Sequence, residues 1–236
     1  MFTFDSVVRY SETGTDGKLT LPSIVNYFQD CSELHSNSLG VSVTTSETDA
    51  WILNSWQIQI KKYPSIDEHI KVGTAPHKFK GIQGERNFLI LDKDNNVLVN
   101  ANSIWSFFDF EANTPKRVTD EQVETYKPEP PYDMDYAPRR INIKNIEESA
   151  YQEANSLTVT KSMTDYHNHM NNAQYVLVAY DYLPDDYKFN QLRVEYLKPT
   201  MRGDVISVKT YLDNDRFIVL IANANETRAI LEFTTI

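Results

Sequence analysis

Residues 164–175 read Thr164-Asp165-Tyr166-His167-Asn168-His169-Met170-Asn171-Asn172-Ala173-Gln174-Tyr175. Within eight of these positions lie two of the chain's five histidines, one carboxylate and three asparagines. An imidazole titrates near neutrality (~6.5), so His169 can take a proton from water or hold water in place. Asp165, four residues earlier, can orient that imidazole or share the base role. His167 and Asn168 lie between them, and His167 reads equally as a second base or as packing. The cluster ends where a helix begins. Asn171 or Asn172 can cap that helix, and its first N–H groups favour a negative charge developing on a bound oxygen. His-x-His also occurs among metal ligands, but no third His or Cys lies nearby, so no metal is expected.

The elements that must position this cluster are mostly strands. The chain has 236 residues with 41% hydrophobic and 24% charged, the balance of an ordinary globular protein. Glycine is scarce (7) and tyrosine abundant (14), which suits strands. No GxGxxG or GxxxxGK[ST] phosphate loop is present. A net charge of −10 argues against nucleic acid. Cys31 is the only cysteine, so no internal disulfide forms. No apolar run reaches the ~18 residues of a membrane span. MFTFDSVVRYSE carries no basic-then-apolar leader, and a cytoplasmic protein is expected.

Alternating patterns predict strands at 51–62, 82–91 and 97–110, the last bending at Asn100 or Asn102. Four more are predicted at 191–198, 204–212, 216–224 and 227–236, with a hairpin turn at Asp213-Asn214-Asp215. Two helices are predicted. In the first, Ile24, Tyr27, Phe28, Cys31 and Leu34 form a stripe, Pro22 sits in the first turn and Gly40 follows the end. In the second, 172–183, Val176, Leu177, Tyr180 and Leu183 form the apolar face and Pro184 stops it. Residues 112–144 hold five of the ten prolines and read as a connection, with a short helix around 119–126. The order of elements repeats on either side. An offset of 148 lays Tyr27 on Tyr175, and an offset of 136 lays DEHIKV on GDVISV. The chain therefore reads as a tandem α+β repeat, each unit a curved antiparallel sheet around one central helix. In the first overlay, Leu21, Leu19 and Gly17 stand where His169, His167 and Asp165 stand, leaving one half with the polar set.

The pattern D-x-x-x-H-[VM]-N-N-x-x-Y, with a helix and then E-Y-x-x at Glu195-Tyr196, resembles the acyl–acyl carrier protein (ACP) thioesterases. VRYSETG, VNYFQDCSE, WxLxxxxIxIxxYP from Trp51 to Pro64, and NANSIWSFFDFEANTPKR extend the resemblance over nearly the whole chain. It implies an α+β fold of two tandem hotdog repeats, each a sheet wrapped around a long helix. The expected boundaries are a first hotdog at 1–115 with the acyl-chain pocket, a proline-rich linker at 116–144, and a catalytic second hotdog at 145–236. It also implies hydrolysis of fatty acyl-ACP in fatty acid biosynthesis, with no cofactor. Asp165 matches the family's acid, His169 its histidine, and Asn171 and Asn172 its two asparagines. His167 stands where the family often has asparagine, with Asn168 beside it. Pro199 and Thr200 stand where plant members have Glu-Cys. Neither is a base or a thiol, and Cys31 reads as a core residue, so water is the expected nucleophile.

A ten-methylene tail is worth ~8 kcal/mol of burial and needs an apolar tunnel, expected around Trp51, Trp56, Phe107 and Phe108. ACP is acidic, so docking needs local cations. Lys61-Lys62, Arg139-Arg140, Lys198 and Arg202 are candidates. Two other readings share these residues: an acyl-CoA thioesterase of the hotdog class, or an acyl-chain binding protein without catalysis. Two hotdogs in one chain stand in for the dimer that single hotdogs form, and a further homodimer stays open.

Overall fold

The computed structural model describes residues 1–41, 48–213, 215–224 and 226–236. The chain divides into two compact units, Met1–Ala137 and Pro138–Ile236. The division falls inside the proline-rich stretch 116–144.

The first unit contains β1 (Phe2–Val7), α1 (Leu21–Ser38), β2 (Asp49–Ile60), β3 (His69–Lys80), β4 (Gln83–Asp92), β5 (Val97–Asp109), β6 (Thr114–Pro115) and α2 (Asp120–Tyr126). Its antiparallel sheet runs β1-β3-β4-β5-β2, with β6 beside β5. Thr20 caps α1 by accepting the Ser23 N–H, and Gly40 beyond the end takes φ +73. Ile24, Tyr27, Phe28 and Cys31 are buried as the spacing requires, but Leu34 is exposed. The helix lies against β1 and β3, and Phe28 meets Trp56 and Phe88 of the sheet.

β3 was not legible as a full strand because Gly73 and Pro76 interrupt it. Pro76 is tolerated because β1 pairs with β3 only as far as Thr74, and because the ladder to β4 bulges between Pro76 and Lys78. Asn100 and Asn102, where a bend was expected, both stay in register with β2 and β4. The irregularities of β5 lie opposite Asn54 and at Leu98.

Residues before the unit division pack on this sheet. Gln57 Nε2 donates to the Asp135 carbonyl and Gln57 Oε1 accepts the Ala137 N–H, both at 2.8 Å. Asn87 Oδ1 accepts the Tyr132 N–H at 2.9 Å and the Tyr136 hydroxyl at 3.0 Å. Side-chain amides on the outer face thus tie down 132–137, so only the residues after Ala137 belong to the second unit.

The second unit contains β7 (Gln152–Glu153), β8 (Leu157–Thr158), α3 (Asn172–Tyr180), β9 (Gln191–Tyr196), β10 (Val205–Asp213), β11 (Arg216–Asn223) and β12 (Glu226–Thr234). The sheet runs β9-β12-β11-β10-β7, all antiparallel, with β8 also on β10. Asp213 pairs with Arg216 across the expected hairpin, whose Asn214 lies outside the described residues. The helix α3 crosses β11 and β12. On β11, Ile218 and Leu220 pack with Ile141 and Ile230, and the alternate Phe217, Val219 and Ile221 are equally buried, so both faces are covered.

α3 is shorter than predicted. It ends at Tyr180, after which the Tyr182 and Leu183 N–H groups turn back to the carbonyls of Ala179 and Tyr180. Its buried residues are Ala173, Tyr175, Val176, Val178 and Ala179, while Leu177 and Tyr180 face solvent. NAQYVLVAY is apolar nearly all round, so periodicity could not choose the face.

Both units are hotdogs, and their backbone hydrogen bonds give the repeat register directly. Thr20 N–H donates to the Glu12 carbonyl and Asn171 N–H to that of Met163, both at 2.9 Å. The bridges Thr13–Leu19 and Thr164–Met170 correspond in the same way. The helix starts therefore match at an offset of 151, as from Thr20 to Asn171, and not 148. Anchoring on the two tyrosines misplaced the overlay by three residues, and Tyr27 matches Val178. The offset of 136 holds: Val8 N–H reaches the Glu68 carbonyl as Val159 N–H reaches that of Asp204. No helix among the described residues is long and apolar enough to cross a membrane.

Candidate active site

The candidate cluster is a tight reversal ahead of α3. Thr164 and Met170 pair, and between them Asp165 N–H donates to the His169 carbonyl at 2.8 Å. Asn168 N–H donates to the Asp165 carbonyl at 3.1 Å, and Asn168 itself takes φ +59. Asparagine adopts this left-handed conformation more readily than most residues. The Asp165 Oδ1 accepts the N–H of His167 at 2.9 Å and of His169 at 3.2 Å. Asp165 therefore fixes the turn through main-chain donors, the usual action of an aspartate at such a reversal.

The far side of the reversal is held by the turn before β10. Met170 N–H donates to the Thr200 carbonyl at 2.7 Å, and His169 bridges Met201. That turn is set by Asp204, whose Oδ2 accepts the Met201 N–H at 2.8 Å, and by Gly203 at φ +91. Asp204 and Gly203 were missed as positioning residues. The 136-residue repeat was the available signal, since Glu68 and Asp67 hold the matching turn in the first unit.

His169 is half-buried, and its imidazole makes no hydrogen bond among the described residues, so both ring nitrogens stay available. His167 is exposed, its ring 6.5 Å from that of His169 and edge-on to Tyr166. That separation excludes a direct ring-to-ring hydrogen bond. Asn168 is exposed at the apex of the turn. In the corrected register, the first unit has Gly14, Asp16, Gly17 and Lys18 where Asp165, His167, Asn168 and His169 stand.

Asn171 is the cap of α3. Its Oδ1 accepts the Ala173 N–H and its carbonyl the Gln174 N–H, both at 2.8 Å. The donors expected to hold a substrate oxygen at Ala173 and Gln174 are thus already engaged. Asn172 sits at the first helical position, where its carbonyl accepts the Tyr196 hydroxyl at 3.0 Å. Replacing Asn171 by alanine is expected to cost ~1 kcal/mol of stability, read from the urea midpoint, and serine should restore most of it.

Thr200 is fully buried, and its Oγ1 has no hydrogen-bond partner of good geometry among the described residues. It lies beside Tyr175, whose hydroxyl is raised above its ordinary pKa, chiefly by burial. Thr200 therefore does not meet bulk water. Pro199 is exposed. The Glu195 carboxylate is buried, accepting the Ile141 N–H at 3.0 Å with Arg139 3.9 Å away. Burial pushes the Cys31 thiol up to about 12, and its Sγ points to the Val72 carbonyl, which suits a core residue. Among the described residues no three His, Cys, Asp or Glu side chains converge as a metal would require.

A cavity of about 270 Å³ lies within the first unit. Trp51 and Phe107 line it as expected, together with Phe79, Trp105 and Tyr126. Trp56 does not line it, being buried against Phe28 and Phe88, and Phe108 packs on Phe110 instead. Of the candidate docking cations, Lys62, Arg139 and Lys198 pair with Glu68, Glu195 and Glu226. Lys61, Arg140 and Arg202 are exposed and form no ion pair among the described residues.

Residues 1–126 match the family model described as acyl-ACP thioesterase N-terminal domain, and residues 143–233 the one described as acyl-ACP thioesterase C-terminal domain. A chloroplastic acyl-[acyl-carrier-protein] hydrolase of Cuphea viscosissima is 24% identical over 87% of this chain and 53% of its own length. A chloroplastic oleoyl-acyl carrier protein thioesterase of Arabidopsis thaliana is 22% identical over 90% of this chain and 63% of its own. The chain thus spans between half and two thirds of these curated relatives. Among solved structures, an acyl-ACP thioesterase of Bacteroides thetaiotaomicron superimposes with a TM-score of 0.88 at 20% identity, covering 98% of this chain and 96% of that one. The 12:0-ACP thioesterase of Umbellularia californica does so at 0.83 and 18% identity, over 99% and 96%.

Proposed function

Because the chain belongs to the acyl-ACP thioesterase family, we propose that it hydrolyses a fatty acyl-ACP thioester to free fatty acid and carrier protein. Water is the nucleophile. One nitrogen of His169 takes a proton from water as the oxygen attacks the thioester carbonyl. The tetrahedral intermediate then collapses, the carbon–sulfur bond breaks, and the protonated imidazole returns its proton to the departing carrier thiolate. The observation that carries this reading is the reversal itself: a half-buried imidazole with both nitrogens available, its main chain fixed by Asp165 and by the Thr200–Met201 segment. Asp165 acts by position, through the backbone. With the Ala173 and Gln174 N–H groups engaged, the Nδ2 amide of Asn171 is the donor we assign to the developing oxyanion. Asn171→Ser, which keeps a capping oxygen but removes that amide, should lower kcat with little loss of stability.

We assign acyl-chain binding to the first unit and catalysis to the second. The aromatic cavity of about 270 Å³ offers Trp51, Phe79 and Phe107 to that chain. Exposed Arg202, next to the residue that bridges His169, is the cation we assign to the acidic carrier. The lone buried thiol fits a reducing compartment, and the reaction would end acyl elongation in a cytoplasm.

The test is the rate of hydrolysis of C8 to C16 acyl-ACP against the matching acyl-CoA. Acyl-ACP should be favoured at least tenfold in kcat/KM, with the preference falling as salt rises. Arg202→Glu should raise KM for acyl-ACP about threefold to tenfold at unchanged kcat. Background rates on every acyl-ACP would overturn the reading.

A further inference from the structure

Two phenols back the start of α3. Tyr196, the last residue of β9, donates its hydroxyl to the Asn172 carbonyl at 3.0 Å. Its ring stands edge-on to that of Tyr175, with the centroids 5.5 Å apart. The peptide unit that meets Tyr196 at its carbonyl carries the Ala173 N–H at its other end, and that N–H donates to Asn171 Oδ1 at 2.8 Å. The peptide is trans, so its carbonyl and its N–H point in opposite directions. One hydrogen bond therefore enters the unit at one edge, and a second leaves the opposite edge into the side-chain amide of Asn171.

Such a chain has an electronic consequence. A carbonyl that accepts a hydrogen bond draws electron density from its own nitrogen, and the attached N–H becomes a stronger donor. The Asn171 carboxamide repeats the step: Oδ1 accepts, and the Nδ2 protons gain positive charge. Tyr196 keeps its proton throughout the working range, because burial first and the neighbouring Tyr175 second raise its hydroxyl well above the ordinary tyrosine value. The chain thus runs in one direction and ends on the amide assigned above to the oxyanion.

The fold does not require this chain. Leu197 and Lys198 N–H share the Arg228 carbonyl as Lys61 and Lys62 N–H share that of Leu98, so Tyr196 matches Ile60, the last residue of β2. At the offset of 151, Tyr175 matches Ile24 and Asn171 matches Thr20. Both isoleucines are buried, and Thr20 caps α1 through a hydroxyl. The first unit therefore builds the same helix start with neither phenol and without a carboxamide. The Tyr196 hydroxyl and the amide it leads to occur together in the unit that carries His169.

We propose that Tyr196 is a positioning residue for the hydrolysis, acting through the 172–173 peptide to orient and polarise the Asn171 amide, and this rests on the assignment of that amide to the oxyanion. Tyr196→Phe removes one hydroxyl and keeps the ring. It should lower kcat for acyl-ACP about threefold to tenfold, part of what a whole oxyanion donor supplies, and leave KM within about twofold. In an Asn171→Ser background the same change should alter kcat by less than about twofold, because the amide it acts through is gone. Unchanged kcat in Tyr196→Phe, a loss confined to KM, or losses that multiply in the double variant overturn the proposal while leaving the Asn171 assignment intact. Full kcat in Asn171→Ser overturns that assignment, and the proposal falls with it. Proton NMR of the whole chain reads the relay without turnover. In Tyr196→Phe the Ala173 amide proton and the Asn171 side-chain amide protons should both move upfield, as weaker donors do. Unmoved Asn171 protons overturn the proposal whatever the activity.

Discussion

His169→Ala is expected to lower the single-turnover rate of acyl-ACP hydrolysis by about 10² to 10⁴, the span attributed to one general base, with the unfolding midpoint unchanged. The separation of activity from stability follows from what holds this residue. Its N–H donates to Asp165 Oδ1 and its carbonyl accepts from Asp165 N–H, both main-chain groups that alanine retains. The imidazole makes no hydrogen bond among the described residues, so removing it leaves no partner unsatisfied. Asp165 behaves differently. Asp165→Ala removes the acceptor of two N–H groups and should cost ~1–2 kcal/mol as well as activity. Asp165→Asn keeps an oxygen for those donors and should retain the turn. If Asp165 acts by position, the asparagine variant keeps most of kcat while the alanine variant does not. If it acts through its charge, both lose alike. A His169→Ala rate within tenfold of wild type would place the base elsewhere.

What the sequence disclosed follows from which signals are local. The helix cap and the strands with clean alternation depend on neighbouring residues, so Asn171 as a cap and most of the strands could be read directly. What escaped depends on contacts between distant segments. β3 carries Gly73 and Pro76, and only its half-unpaired edge and its bulge make them tolerable. α3 is apolar all round, so only the sheet it covers decides that Leu177 faces water and Val178 does not. The repeat register failed because matching side chains were used as anchors, whereas the two units share backbone hydrogen bonds rather than residue types. The donors at Ala173 and Gln174 looked available because helix starts usually are, and one asparagine side chain and its carbonyl engage them.

Phe88→Ala is expected to destabilise the first unit by ~3–5 kcal/mol. Phe88 has no exposed surface, and its ring lies 5.1 Å from that of Phe28 on α1 and 4.9 Å from that of Trp56 on β2. The ring thus joins the central helix to two strands that are not neighbours in sequence. Truncation removes its apolar transfer energy, two aromatic contacts worth ~0.5–1.5 kcal/mol each, and leaves a void that a sheet on one side and a helix on the other cannot close. Against a total stability of roughly 5–15 kcal/mol, that is a large fraction. Phe88→Leu fills most of the space and should cost much less. Urea unfolding followed by tryptophan fluorescence is the direct measurement, because Trp56 is itself one of the three rings. Tyr166→Ala, at a side chain 83% exposed on the candidate reversal, should stay within ~0.5 kcal/mol of wild type in the same assay. A cost for Phe88→Ala no larger than that would show that the helix is held by contacts other than this triad. The spread between the two variants therefore measures how far one ring in the wrapped core, rather than the surface turn with the candidate chemistry, decides whether the unit folds.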